Sequence, residues 1–409
     1  RYASRGLGDV YKRQIEVCLL TETFPPEVNG VSFTLAKLAR GLSGLGAKVK
    51  VLRPKRAYKG ADDEPWQEID LPSCPIPNYP QLRFGLPCAS RLRDLWQKER
   101  PDIIYLATEG PAGFSALRVA GKLQIPVVSG FHTNFDLYLK HYRISFIQPL
   151  IDFYLKWFHN RTSATFAPTD WMIEELQNKG YHNLCMLSRG VDRELFSPEQ
   201  RSEKLRSNWG VEKEDKVIVS VSRIAAEKNL DLTCTLAEQM IETGKAQAGV
   251  IVGDGPELKR LKQKFTKLRF TGCLSKQALA EHYASGDVFL FASVTETFGN
   301  VVTEALASGT PVVAYDYAAP SEFITEGVNG YLASMNDEEK LRVNLGKILS
   351  KSRDELSEFK RSARRSTDKA DWNQILEKFH SDLLEILHQI KENQVKRFSP
   401  NSGTQPHPA

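Results

Sequence analysis

Two glutamates, Glu296 and Glu304, stand eight positions apart in VTETFGNVVTEALASGTPVVA, a stretch otherwise dominated by Thr, Gly, Val and Ala. A carboxylate placed among apolar residues needs a partner, because burying an unpaired charge is costly. Sugar and ribose hydroxyls are such partners, since a carboxylate accepts hydrogen bonds from a vicinal diol. Two cations, Arg223 and Lys228, lie five positions apart in VSVSRIAAEKNLDL. An arginine fork and a lysine point charge together suit a diphosphate. Each pair also has an ordinary reading: most Arg and Lys residues are simply surface, and Glu304 can be an exposed helix residue.

Three further stretches fall beside apolar runs. Gly30 ends TETFPPEVNG and opens a helical pattern, where a glycine lets backbone approach a ligand and a helix start offers N–H groups to phosphate. Asn29-Gly30 is equally a plain turn. Gly253 in VIVGDGPELKRL follows a strand pattern and is most economically a tight turn at the floor of a pocket. His132 in VVSGFHTNFDLY comes at a strand's end, with Thr133 and Asn134 beside it, where an imidazole can bond a sugar hydroxyl or play a structural part. Gly299 and Asn300 stand at the start of a helix expected from about Phe298, which puts Glu304 about two turns in.

The elements that must hold these residues alternate along the chain. IEVCLL (15–20), KVKVL (48–52), IIYLA (103–107), PVVSG (126–130) and ATFAP (164–168) read as buried strands separated by helical patterns such as SFTLAKLARGLSGLG. The alternation restarts with KVIVSVS (216–222), GVIVG (249–253), LRFTG (268–272), DVFLFA (287–292) and PVVAY (311–315). The pattern implies an α/β fold of two Rossmann-like domains, 15–195 and 196–370, with a linker near 189–212. DWNQILEKFHSDLLEILHQIK (371–391) has helical spacing, and residues 394–409 have the composition of a disordered tail. Ligands of such sheets sit at the carboxyl ends of the strands, so the chemistry belongs in a cleft between the two.

The chain has 409 residues, with 41% hydrophobic and 26% charged, the balance of a soluble globular protein. No apolar run reaches the length of a spanning helix. The six cysteines form no C-x-x-C pair, which fits reduced thiols in a cytoplasmic protein. RYASRGLGDVYKRQ (1–14) lacks an apolar signal core and reads as a translated sequencing adaptor. It holds four cations and one anion, +3 of the chain's +5 charge, leaving about +2 for the rest. That balance argues against a nucleic-acid partner.

Taken in order, N-G-V-S after the first strand, S-R-I-x-x-x-K-N, V-G-D-G-P-E and E-T-F-G-N-V-V-x-E-A-L-A-S-G-T-P-V-V resemble the retaining GT-B glycosyltransferases of family four from Ile15 to about Leu387. Glu296 to Glu304 matches that family's E-x7-E signature. The resemblance implies that Arg223 and Lys228 bind the diphosphate of a nucleotide-sugar donor, Glu296 the donor sugar and Glu304 the ribose. It implies that Gly30 lets its loop approach the donor phosphate and that His132 lies near the transferred sugar. Gly253, Phe298, Gly299, Asn300 and Val301 complete the implied donor site. It further implies a closing helix after Asp371 that crosses back to the N-terminal domain, and catalysis without cofactor or metal; no D-x-D motif is present. Some relatives carry Gly-Gly where this chain has Asn29-Gly30.

F-H-T, FIQPLIDFYLKWFHNRTSATFAPT and SRGVDRELFSP look like the members that glycosylate lipids, which implies transfer of a mannose- or glucose-type hexose to a lipid or glycolipid. A soluble or polysaccharide acceptor is the alternative. So, outside the class, are a nucleotide-sugar epimerase and a non-catalytic sugar-nucleotide-binding protein. Lipid substrates imply a peripheral place on the inner face of the plasma membrane. LRPKRAYKG, with Arg53, Lys55, Arg56 and Lys59, offers a basic handle for anionic headgroups, or an ordinary solvated loop. The segment 142–158 is read as a buried helix in preference to a membrane face.

Overall fold

A computed structural model describes residues 14–27, 29–55, 64–76, 79–132 and 148–398. The adaptor-like segment to Arg13, the basic residues Arg56 and Lys59, Thr133 and Asn134, and the tail beyond Phe398 lie outside them.

The apolar runs of the first half become β1 (Glu16–Leu20), β2 (Lys48–Pro54), β6 (Ile103–Leu106), β7 (Val127–Gly130) and β8 (Ala164–Ala167). With β3 (Gln67–Leu71) and β9 (Leu184–Met186) they form a parallel sheet in the order β3-β2-β1-β6-β7-β8-β9. An antiparallel hairpin, β4 (Ser73–Ile76) and β5 (Tyr79–Gly85), leaves the edge. The second half gives β10 (Val217–Val221), β11 (Ala248–Val252), β12 (Arg269–Gly272), β13 (Val288–Phe291), β14 (Val312–Tyr315) and β15 (Gly330–Ala333). Their order is β12-β11-β10-β13-β14-β15, again parallel. Strands buried on both faces need apolar side chains throughout, which is why these runs do not alternate with polar residues.

The helices that bear on the site are α1 (Gly30–Gly44), α2 (Ala89–Lys98), α3 (Pro111–Leu123), α4 (Gln148–His159), α5 (Leu230–Glu242), α6 (Lys276–Ser285), α7 (Asn300–Ala307) and α8 (Trp372–Phe398). Alternate residues of β1 face opposite cores. Val17 and Leu19 pack with Leu35 and Leu38 of α1 and with Phe379 and Leu383 of α8. Cys18 and Leu20 pack with Trp96 of α2 and Ala116 of α3. The helix after β1 therefore covers one face and the helix after β6 the other. The second sheet repeats this: α5 after β10 joins one core and α7 after β13 the opposite one. Each sheet thus has a switch point between two central strands, β1/β6 and β10/β13, where crevices open at the carboxyl ends.

Four expectations change. Residues 189–212 are no free linker, because Val191, Phe196, Trp209 and Val211 are buried in the second core. The closing helix runs past 391 to Phe398, so 394–398 belong to it. The helix expected to be buried near 142–158 is seen from Gln148 and exposes Leu150 (69%) and Phe153 (64%), its inner side being Leu155 and Phe158. Arg53 is interior: it donates to the Phe24 and Pro25 carbonyls at 3.1 and 2.6 Å, and so cannot serve as a membrane handle.

Candidate active site

The second switch point gathers most of the residues singled out by spacing. After β10, Arg223 begins a loop that ends in one turn of 3-10 helix, Ala226–Lys228. Asn229 then takes left-handed backbone (φ 51°) and α5 starts. After β13 the chain reaches Glu296. The Lys228 ammonium donates to Glu296 Oε1 at 2.6 Å and to the Thr295 carbonyl at 3.1 Å, and Ser293 Oγ donates to the same Glu296 oxygen at 2.9 Å. Lys228 and Glu296 keep 16% and 15% of their side chains exposed, enough for a ligand to reach both. Arg223 is half-exposed and pairs with the buried Glu227. Thr295 Oγ1 ties that turn across the crevice by donating to the Glu227 carbonyl at 3.1 Å.

Gly299 caps α7 with left-handed backbone (φ 93°), which a β-carbon would strain, and no side chain caps this helix start. α7 begins at Asn300, two residues later than expected, so Glu304 stands little more than one turn in. Its Oε2 accepts from the Tyr283 hydroxyl of α6 at 3.0 Å. Glu304 is half-buried; desolvation pushes its pKa up to about 7 against the weaker pull of Tyr283 and Lys276.

Not every expected contact faces the cleft. Phe298 is buried against Phe323, with ring centroids 6.1 Å apart, so its side chain is core and only its backbone borders the helix start. Val301 packs against the same core. Gly253 (φ 136°) supports the site from behind: a β-carbon there would sit 1.9 Å from the Ser222 carbonyl, so glycine lets the loop pass beneath Arg223.

The first half meets this site at α1. Asn29 caps that helix, its side chain accepting from the Ser32 N–H at 2.8 Å. A β-carbon on Gly30 would lie 3.2 Å from Asn300 Nδ2, so the two helix starts face each other across the cleft. Lys276 of α6 sits over the Phe33 ring at 4.2 Å.

His132 is buried, and both ring nitrogens are engaged within the protein. Arg189 Nη2 donates to Nδ1 at 3.1 Å, and Nε2 lies 3.0 Å from the Tyr105 hydroxyl. Burial and the Arg189 charge hold its pKa well below the ordinary value. Arginine cannot accept, so the neutral ring carries its proton on Nε2. The ring is thus positioned by Tyr105 and Arg189. Arg189 also donates to Thr34 Oγ1, whose hydroxyl donates to the Gly30 carbonyl at 2.8 Å. Arg189, Tyr105, Tyr283, Ser293 and Glu227 were not singled out. SRGVD contains Arg189, but its bond to His132 spans 57 positions and leaves no local trace.

Two parallel sheets of Rossmann-like plan, with cations and carboxylates collected at the β10/β13 switch point, are the GT-B architecture. The family model described as Glycosyltransferase Family 4 matches residues 28–195, and that for Glycosyl transferases group 1 matches residues 201–366. A GDP-mannose-dependent alpha-mannosyltransferase of Corynebacterium glutamicum is 31% identical over 331 residues, 80% of this chain and 78% of that protein. An alpha-monoglucosyldiacylglycerol synthase of Streptococcus pneumoniae is 29% identical over 333 residues, 78% of this chain and 75% of that protein. The fold is shared with Anabaena Alr3699/HepE in complex with UDP and glucose, at TM-score 0.70 and 20% identity over 90% of this chain and 99% of that one. The chain belongs to the family-four glycosyltransferases and is an enzyme of that class.

Proposed function

We propose that the enzyme moves a mannose- or glucose-type hexose from a nucleotide diphosphate sugar to a hydroxyl of a lipid or glycolipid at an anionic membrane surface, with retention and without a metal. The observation that carries this reading is the meeting of Lys228 and Glu296 at the β10/β13 switch point, with Arg223 on the same loop after β10 and the start of α7 free of any side-chain cap. The relatives named GDP-mannose-dependent alpha-mannosyltransferase and alpha-monoglucosyldiacylglycerol synthase support the hexose, and the second of them the lipid. Among the described residues no helix is long and apolar enough to cross a membrane.

The diphosphate sits against Arg223, Lys228 and the first N–H groups of α7, which are aimed where charge develops as it departs. Glu296 and Glu304 accept from donor hydroxyls. The acceptor oxygen attacks the anomeric carbon from the face the diphosphate leaves; that carbon–oxygen bond breaks, and the acceptor's proton passes to the departing phosphate. Glu296 is held by Lys228 and Ser293 as a hydroxyl acceptor, not as a nucleophile. A panel of UDP- and GDP-sugars with a polar-lipid extract, read by product mass and by slow donor hydrolysis without lipid, tests the proposal. Turnover of a donor to its epimer without acceptor, or no turnover of any donor, would overturn it.

A further inference from the structure

Between α2, α3 and α4, on the face of the first sheet away from α1, lies a cavity of about 690 Å³. That volume is typical of a small-molecule site. Its walls are apolar: Pro87, Pro111, Phe114, Val119 and Tyr154. The Phe114 and Tyr154 rings both stack on Trp157, at 5.8 and 6.1 Å, which fixes the wall. Apolar exposure collects in the elements that border it. Phe84 and Leu86 precede Pro87, while Leu150 and Phe153 share α4 with Tyr154, and all four are exposed. Exposed apolar side chains on the elements that wall an apolar cavity suit an interaction site.

Charge orients the occupant. Arg93, Arg118 and Lys122 stand on the rim, exposed to solvent. The carboxylate that lines the cavity, Glu109, is already bonded to His159 Nε2 at 3.2 Å. The inner end, Glu109 and Gly110, is the loop that follows β6 and forms one side of the β1/β6 switch crevice. From Pro111 to Lys122 the groove follows α3 for roughly 16 Å.

We propose that this cavity holds the apolar part of an anionic lipid acceptor, whose charge meets Arg93, Arg118 and Lys122 and whose hydroxylated end reaches the crevice past Gly110. The assignment rests on the lipid reading above, and the experiment separates the two. The full chain is titrated with 11-(dansylamino)undecanoic acid, an anionic amphiphile that brightens in apolar surroundings, and with its neutral amide. Ala89→Trp fills the cavity from the half-buried start of α2, and Arg118→Glu reverses the rim. Both variants are expected to bind the acid at least tenfold more weakly, and the parent to prefer the acid over the amide at least fivefold. In both variants transfer to a polar-lipid extract falls at least tenfold, while donor hydrolysis without lipid stays within twofold of the parent. Equal binding of acid and amide, unchanged binding by the variants, or unchanged lipid transfer by Ala89→Trp overturns the assignment. Loss of donor hydrolysis by the parent would instead sink the transfer reaction and leave the binding result to stand.

Discussion

The two halves share a strand plan and a switch point, yet the charges at those points differ: the second joins cations to carboxylates, whereas the first offers the carboxylates Glu22 and Glu109. The second half brings Arg223 and Lys228 to the end of β10 and Glu296 past β13. The first half brings two carboxylates, Glu22 just past β1 and Glu109 past β6. Glu22 accepts from the Gly85 N–H at 3.2 Å, and burial, with Glu109 nearby, pushes its pKa up to about 7. A β-carbon on Gly110 would sit 2.5 Å from Glu22 Oε1, so this carboxyl occupies room that only glycine leaves. Topology therefore fixes where the crevices open, while residue type at the strand ends sets which charges line them.

The largest test of this contrast removes the cations. Lys228→Ala is expected to lower turnover by roughly 10²–10³-fold, the scale seen when one preorganised donor to developing charge is removed. Arg223→Ala lowers it in the same direction and by less, because Arg223 is half-exposed and lies farther along the loop. Unchanged melting curves with near-normal transfer would remove the phosphate role. Next comes Gly253→Ala, which forces a β-carbon against the Ser222 carbonyl at positive φ. We expect a loss of about 2–4 kcal/mol in chemical denaturation; a variant as stable as the parent would show that the loop is not braced there.

Glu304→Gln has a smaller effect. Losing one charged acceptor to ribose costs about 1–3 kcal/mol of nucleoside diphosphate affinity by titration calorimetry. The parent should discriminate against a 2′,3′-dideoxy nucleotide more strongly than the variant, whose amide oxygen accepts without a charge; equal discrimination in both would reassign this carboxylate. The smallest effect is on pH. Folded Glu22 and Glu304 hold a proton up to about pH 7, whereas the unfolded chain releases it near 4.5. The native state binds more protons in that window, so their stabilising contribution is full below it and fades as pH rises through 7. Glu22→Gln should shrink the fall in Tm between pH 5.5 and pH 8; an unaltered fall would place Glu22 in water.

Much of this arrangement was legible in the chain. Buried parallel strands leave unbroken apolar runs, and Arg223, Lys228, Glu296 and Glu304 follow them at short range, where spacing carries information. Long-range partners are silent. Nothing near His132 announces that Arg189 will occupy its Nδ1, and nothing in LRPKRAYKG tells that Arg53 turns inward to the carbonyls of a loop 28 and 29 positions earlier. Phe298 read as cleft lining because its neighbours are, yet side chains around a helix cap diverge, and its ring found Phe323. Glu22 leaves no local trace either: the residues that enclose it, Gly85 and Gly110, lie far along the chain.

The contact between Lys228 and Glu296 has an electrostatic consequence. Each is the other's counter-ion, so two mostly enclosed charges at the mouth of β10 and β13 are compensated within the fold itself. Removing either one would leave its partner an unbalanced charge in a largely enclosed position.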